Sequence, residues 1–376
     1  MSDPIGTELA LTTLYEVWPR VVKDHFFLNS PKLAHIRDHC SYPYDGGQYT
    51  QTAFIYAPLI GAWYAIGDNF NITKPQTIGG TVFTLRQLEV NVSEFKENLS
   101  LNRGPLAVFS LLQTDLKNAI LTASAMTAIA SWRHGQANGA TITDNRQKMM
   151  NGDSEAINDG ITNSWDGNVF PTYGTATRNG VIGSVLNSVP LWVGDSLGNP
   201  GKISYPVLEE AYQDVSIGQQ EPDLIVATKA SYAYMKERIQ EQQRFSQERD
   251  PIWGVTSFRF NSAMVLKDDY APSTKYGKND PILGSYLPTV FTTAAAPDAT
   301  SNLPASTLLS SVGETIFMYN TKELAYRLTT DPELAFGFTG FKPAQDNTRV
   351  AGQVLAQHTL EYTSCRLHKQ LYGINA

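Results

Sequence analysis

The chain has 376 residues, 42% of them hydrophobic, which gives enough apolar surface for one large or two to three small domains. Charged residues are few (17%), the net charge is −7, and Lys and Arg are scattered, so no basic face argues for direct, tight DNA binding, although enclosing DNA needs none. Two cysteines, Cys40 and Cys365, are too few for a disulfide framework and read as free thiols of a reducing cytoplasm.

In chain order, the segment from Thr7 to His39 opens with Leu11, Leu14, Tyr15, Trp18, Val21 and Val22 at helical spacing, interrupted at Pro19. Met1 to Ala10 lacks the basic and apolar regions of a signal peptide, so none is expected. Ser30-Pro31 reads as an N-cap and first-turn proline opening a short helix to about His39. Asp45-Gly46-Gly47 punctuates the chain, and Thr50 to Tyr56 reads as a strand. Gly61 to Gly80 carries glycines, asparagines and aromatics without a period. Thr81 to Val92 reads as one returning strand, with Leu88, Val90 and Val92 alternating against Glu89, Asn91 and Ser93. Two long arms without an intervening helix form an extended hairpin. A two-stranded ribbon is marginal in water, so it needs a surface to lie on.

The clearest element follows. From Pro105 to Trp132, Leu106, Phe109, Leu112, Leu116, Ile120, Ala123, Met126, Ile129 and Ala130 recur at steps of threes and fours. Gly104-Pro105 starts this helix and Gly135 stops it. At 1.5 Å per residue it is a rod of roughly 42 Å, far beyond the usual globular helix. Asn138 to Gly201 reads as loops with short strands, including Val189 to Val193. Beyond it, Ser204 caps a helix to about Gln213, Asp223 to Ala227 is a buried strand, Lys229 to Gln243 a helix and Phe258 to Leu266 a strand. Asp268 to Ser310 reads as a long exposed loop. Thr315 to Tyr319, Leu324 to Thr329 and the tail Arg349 to Tyr372 are further strands. No apolar run approaches the roughly 20 residues of a membrane helix.

Motifs with chemistry are weak. Gly194-Asp195-Ser196-Leu197-Gly198 matches G-x-S-x-G, with His358 and His368 downstream, but Asn199-Pro200-Gly201 follows it instead of a helix, so an ordinary turn is favoured over a nucleophile elbow. His35 and His39 lie four apart, yet Asp38 stands where an inverted zinc motif wants Glu, and a solvated helix end is expected. Asn158-Asp159-Gly160 and Asp166-Gly167-Asn168 lack the regular carboxylates of a calcium loop and read as turns. No catalytic residue, metal site or cofactor is expected.

The succession of elements resembles the major capsid proteins of tailed bacteriophages with the Hong-Kong-97 fold. Supporting phrases are Asp45-Gly46-Gly47, Phe170-Pro171-Thr172-Tyr173-Gly174 with Arg178-Asn179, Pro222 to Val226 leading into a helix and Gln243-Arg244-Phe245, Phe317 to Lys322, and the closing Val350 to Tyr372. The resemblance implies an α+β fold: an N-terminal arm over residues 1–44, an E-loop hairpin over 45–95, a P-domain over 96–202 with a spine helix at 105–133, an A-domain of mixed helices and strands over 203–310, and returning P-domain strands over 311–376. It implies a non-enzymatic subunit that assembles as pentamers and hexamers into an icosahedral shell around double-stranded DNA. The expected location is the virion capsid, assembled in the host cytoplasm. Expected partners are copies of the chain, a portal, a separate scaffolding protein or none, and room for a decoration protein, with no membrane. Phe54, Tyr56, Trp63, Tyr64 and Phe70 are the expected inter-subunit contacts. An encapsulin-like nanocompartment and, more remotely, a serine hydrolase using Ser196 are the alternatives.

Overall fold

The structure, a computed structural model, describes residues 30–47, 49–55, 59–96, 105–135, 149–161, 164–165, 169–178, 192–240, 248–249, 256–273, 313–343 and 348–374. The expected helix near Leu11 to Val22, residues 189–191 of the strand expected at Val189 to Val193, the turn at Asp166 to Asn168 and residues 274–310 of the expected loop lie outside these residues.

Helix α1 (Pro31–Cys40) starts where expected: Ser30 is extended, and its hydroxyl accepts from the Leu33 amide. It leads into β1 (Ser41–Tyr44), which pairs in parallel with β13 (Leu324–Thr329). β2 (Tyr49–Ile55) and β3 (Ile78–Thr84) form an antiparallel ribbon from Tyr49↔Thr84 to Ile55↔Ile78. The single returning arm expected from Thr81 to Val92 is in fact two strands. β3 ends at Thr84, and β4 (Arg86–Phe95) leaves the ribbon to pair with β16 (Arg349–Tyr362), from His358↔Arg86 to Arg349↔Phe95. The alternation of Leu88, Val90 and Val92 is thus explained by the core beneath the sheet that β16 organises, not by the ribbon.

β16 is the axis of a six-stranded sheet. It carries β4 and β13 antiparallel, and also β14 (Ala335–Phe338) and β15 (Lys342–Pro343). The long helix α2 (Pro105–Trp132) runs the full 28 residues read from the sequence. Its Leu116, Ala119, Ile120 and Ala123 pack with Val92, Phe336, Phe338 and Val354 of the sheet. The period of three and four is what makes this possible, because it lays one apolar stripe along the sheet. After α2 come a single helical turn, α3 (Asp153–Ala156), and a small hairpin of β5 (Thr172–Tyr173) and β6 (Ala176–Thr177).

A seven-stranded sheet has the order β7-β17-β12-β8-β11-β10-β9, in which β7 is Asp195–Gly201, β8 Leu224–Ala227, β9 Glu248–Arg249, β10 Thr256–Phe260, β11 Ala263–Lys267, β12 Glu314–Tyr319 and β17 Lys369–Ile374. Its central strands β8 and β12 are buried at every residue, as the apolar runs Leu224–Ala227 and Ile316–Tyr319 require. Helices α4 (Tyr205–Asp214) and α5 (Lys229–Gln240) cover it, with Leu208, Tyr212 and Met235 against Ile225, Val265 and Met318.

Two strand readings are corrected here. Phe258 to Leu266 is a hairpin, broken by Asn261 at a φ of 50°. The tail is two strands in two sheets, β16 and β17, separated by a 3-10 turn at Cys365–Leu367. β12 and β17 lie beyond residue 310 yet pair with strands from within 203–310, so the two sheets interleave in sequence. The start of the expected exposed loop is also different: Asp268, Ala271, Pro272 and Ser273 are buried, and Asp268 accepts from the Ser30 hydroxyl at 2.6 Å and the Lys32 amide at 3.2 Å. A third core joins the sheets and the end of α2, with Trp132, Tyr173, Phe317, Tyr319 and Tyr362 among its residues.

Candidate functional site

The weak catalytic and metal motifs become ordinary structure. Ser196 is neither on an elbow nor in a turn. It lies within β7, parallel to β17 and in register with Gln370, whose amide nitrogen is 3.1 Å from the hydroxyl. Extended backbone on both sides leaves no strand-to-helix corner. His358 and His368 are wholly buried in aromatic surroundings, His358 stacked on Phe336 and His368 edge-on to Tyr362. Burial alone lowers their pKa values to about 4 and about 3. His35 is buried rather than solvated and stacks on His39 at 4.2 Å, because α1 packs into the body through this face. Asn158 and Asp159 accept from Gly160 and Ile161 amides two residues on, as turn-forming side chains do. Among the described residues, no group of three or more His, Cys, Asp or Glu is placed to hold a metal ion. Cys40 and Cys365 are buried thiols, and burial raises their pKa values to about 12 and about 11.

The feature that ordinary structure leaves unexplained is the β2–β3 ribbon. Its base is fastened to the body. Phe54 stacks on Trp192 at 4.9 Å, and Phe83 packs on Tyr173 at 5.0 Å. The Thr50 hydroxyl donates to the Glu361 carboxylate. Thr81 donates to the Tyr173 carbonyl at 3.3 Å and accepts from the Thr175 amide at 3.0 Å. A buried Arg178 braces the next layer by donating to the carbonyls of Glu155, Ala156 and Asn158.

Beyond Ile55, the described residues of the ribbon show no such anchoring to the body. Trp63 and Ile66 are fully exposed (103% and 106%), and Leu59, Ile60, Tyr64, Phe70, Ile72 and Ile78 are mostly exposed. Local order comes from a turn in which the Ala65 amide donates to Asp68 at 2.7 Å, and from an edge-on contact of Tyr64 with Phe70 at 5.0 Å. Eight large apolar side chains exposed on one projection are the kind of surface that marks an interaction site. Of the five expected contact residues, Trp63, Tyr64 and Phe70 stand on the exposed tip, Phe54 is half-buried on the chain's own Trp192, and Tyr56 lies outside the described residues. Ile66 and Ile72 are at least as exposed, and the sequence does not single them out, since isolated isoleucines among Gly, Asn and Asp show no period.

No family model matches the chain, and no curated protein matches it in sequence. Solved structures do match over most of its length. The chain is similar to the capsid of a native GTA particle (TM-score 0.51, 8% identity, 91% of this chain and 90% of that one). It is similar also to the SrpI encapsulin of Synechococcus elongatus (0.49, 12%, 92% and 89%). A third match is a chain of Mycobacterium phage Ogopogo (0.47, 10%, 90% and 91%). At such identities the likeness speaks of architecture alone, and the architecture is the α+β, Hong-Kong-97-type fold of capsid shells.

Proposed function

We propose that the chain is a major capsid protein, a structural subunit that closes into an icosahedral shell around double-stranded DNA. The observation that carries this reading is the ribbon: anchored at its base, apolar and uncovered at its tip. A second copy of the chain is the natural cover, because symmetric closure repeats one modest contact many times. In this reading the six-stranded sheet with α2 is the P-domain, the seven-stranded sheet with α4 and α5 is the A-domain, and the ribbon is the E-loop. Trp63, Tyr64, Phe70, Ile66 and Ile72 then meet a neighbouring subunit, with Phe54 orienting the arm. Pentamers and hexamers, a portal and a separate scaffolding protein complete the assembly, in a virion capsid built in the host cytoplasm. The net charge of −7 fits a container that encloses DNA without gripping it. The subunit needs no catalytic residue to do this.

Electron microscopy of the purified chain tests the reading. Closed shells are expected, and a solitary monomer at every concentration and salt tried sinks it. Extraction of particles made in cells separates the alternative: DNA inside supports the virion, whereas a defined protein cargo with no DNA supports a nanocompartment.

A further inference from the structure

Among the described residues, β4 pairs only with β16, so its other backbone edge is open. A groove of about 560 Å³ runs beside it. One wall is six consecutive residues, Glu89 to Glu94. A strand's face contributes alternate residues, so an unbroken run marks the backbone edge itself. The other wall is a stripe of α2: Asp115, Asn118, Ala119, Thr122 and Met126, which its spacing puts on one helix face. Six strand residues span roughly 20 Å, and the helix stripe from Asp115 to Met126 roughly 17 Å. The two walls therefore match the length of a short added strand.

The lining is acidic. Glu89, Glu94 and Asp115 are among the residues that line it, and among the described residues no Lys, Arg or His does. Asp115 sits against Glu94, and burial, then the Glu94 charge and their mutual hydrogen bond, raises its pKa. Glu89 accepts from Gln353 at 3.2 Å. Open edges are commonly protected by charged side chains, lysine above all, or by proline; between Gln87 and Phe95 this strand has no lysine or proline, and its only charges are those of Glu89 and Glu94.

We infer that this groove receives a basic, extended peptide segment of a partner protein. It adds to β4 as a further strand, its main chain pairing with the open edge and a Lys or Arg reaching Asp115 and Glu94. Main-chain pairing gives affinity, and the carboxyls select a cation and repel nucleic acid. The inference holds whether or not the shell encloses DNA.

The test is fluorescence anisotropy of a labelled peptide of alternating valine and lysine, titrated with the full-length chain as unassembled subunits and as particles. Binding is expected in at least one form. The Glu94→Gln/Asp115→Asn variant is expected to weaken it by about tenfold or more, as is N-methylation of the peptide at alternate residues. Thermal melting of the variant checks that it is folded. Absence of wild-type binding, or equal binding by the N-methylated peptide or by the variant, overturns the proposal. Particle formation is scored on the same preparations, so normal shells without peptide binding sink the groove and leave the shell reading standing.

Discussion

The ammonium of Lys32 lies 2.6 Å from the carboxylate of Asp153, with both side chains fully buried where the two sheets meet the end of α2. Tyr319 of β12 and Tyr362 of β16 donate to the two oxygens of the same carboxylate, so one group from each sheet converges on it. Lys32 also donates to the Ser131 carbonyl and rides over the Trp132 ring at 3.6 Å. Removing one partner leaves a buried charge uncompensated. Lys32→Met is expected to destabilise the chain by about 3–5 kcal/mol, while Lys32→Met with Asp153→Leu recovers part of the loss. Urea unfolding of unassembled subunits measures both; additive losses in the double variant would deny the coupling.

Acid should loosen the body through two histidines. His358 and His368 are held neutral by burial, at about 4 and about 3. In the unfolded chain an imidazole titrates near 6.5. As pH falls below 6.5 the unfolded state takes up protons that the folded state refuses. Stability is therefore full above that pH and is lost as it falls through about 4 and then about 3. Each group contributes a slope of at most ~1.4 kcal/mol per pH unit. His358→Phe keeps an aromatic ring against Phe336 and is expected to remove one such slope between pH 6 and about 4. The urea midpoint as a function of pH shows it.

Local pattern carried the helices, and long-range pairing decided what it could not. The period from Leu116 to Ala130 and the Ser30-Pro31 cap specify α2 and α1 without any knowledge of neighbours. By contrast, nothing local says that Leu88, Val90 and Val92 belong beside Val354 rather than beside Phe54. The break at Leu85 is visible only once β16 is in place. Lys32 and His35 look like surface residues because sequence cannot show Asp153 approaching from 121 positions away. The tip was readable in Trp63, Tyr64 and Phe70, which are conspicuous aromatics without a core pattern. The grip of Trp192 on Phe54 was not.

Tip and base of the ribbon should separate assembly from folding. Trp63→Ser with Ile66→Ser changes only exposed side chains, so subunit stability is expected to stay within about 0.5 kcal/mol. Shell formation is expected to fall sharply. Normal particles from this variant, counted by electron microscopy, would remove the tip from the assembly contact. Phe54→Ala instead loses packing on Trp192 and is expected to cost about 1–3 kcal/mol in the subunit itself.

Gly174 sets how the ribbon meets the body. It adopts a φ of +61°, and a methyl group there would sit 2.2 Å from the Thr81 hydroxyl and 3.1 Å from the Phe83 ring. Both neighbours belong to β3, and Thr81 is already committed to Tyr173 and Thr175. Gly174→Ala therefore strains the backbone and pushes the ribbon base outward together. The combined cost is expected at about 2–4 kcal/mol, from overpacking and the left-handed conformation. Hydrogen exchange distinguishes this from general unfolding. Amides of β2 and β3 should lose protection while those of β8 and β12, deep in the seven-stranded sheet, keep theirs. Uniform loss across both sheets would mean that Gly174 supports the whole core and not the attachment of the ribbon.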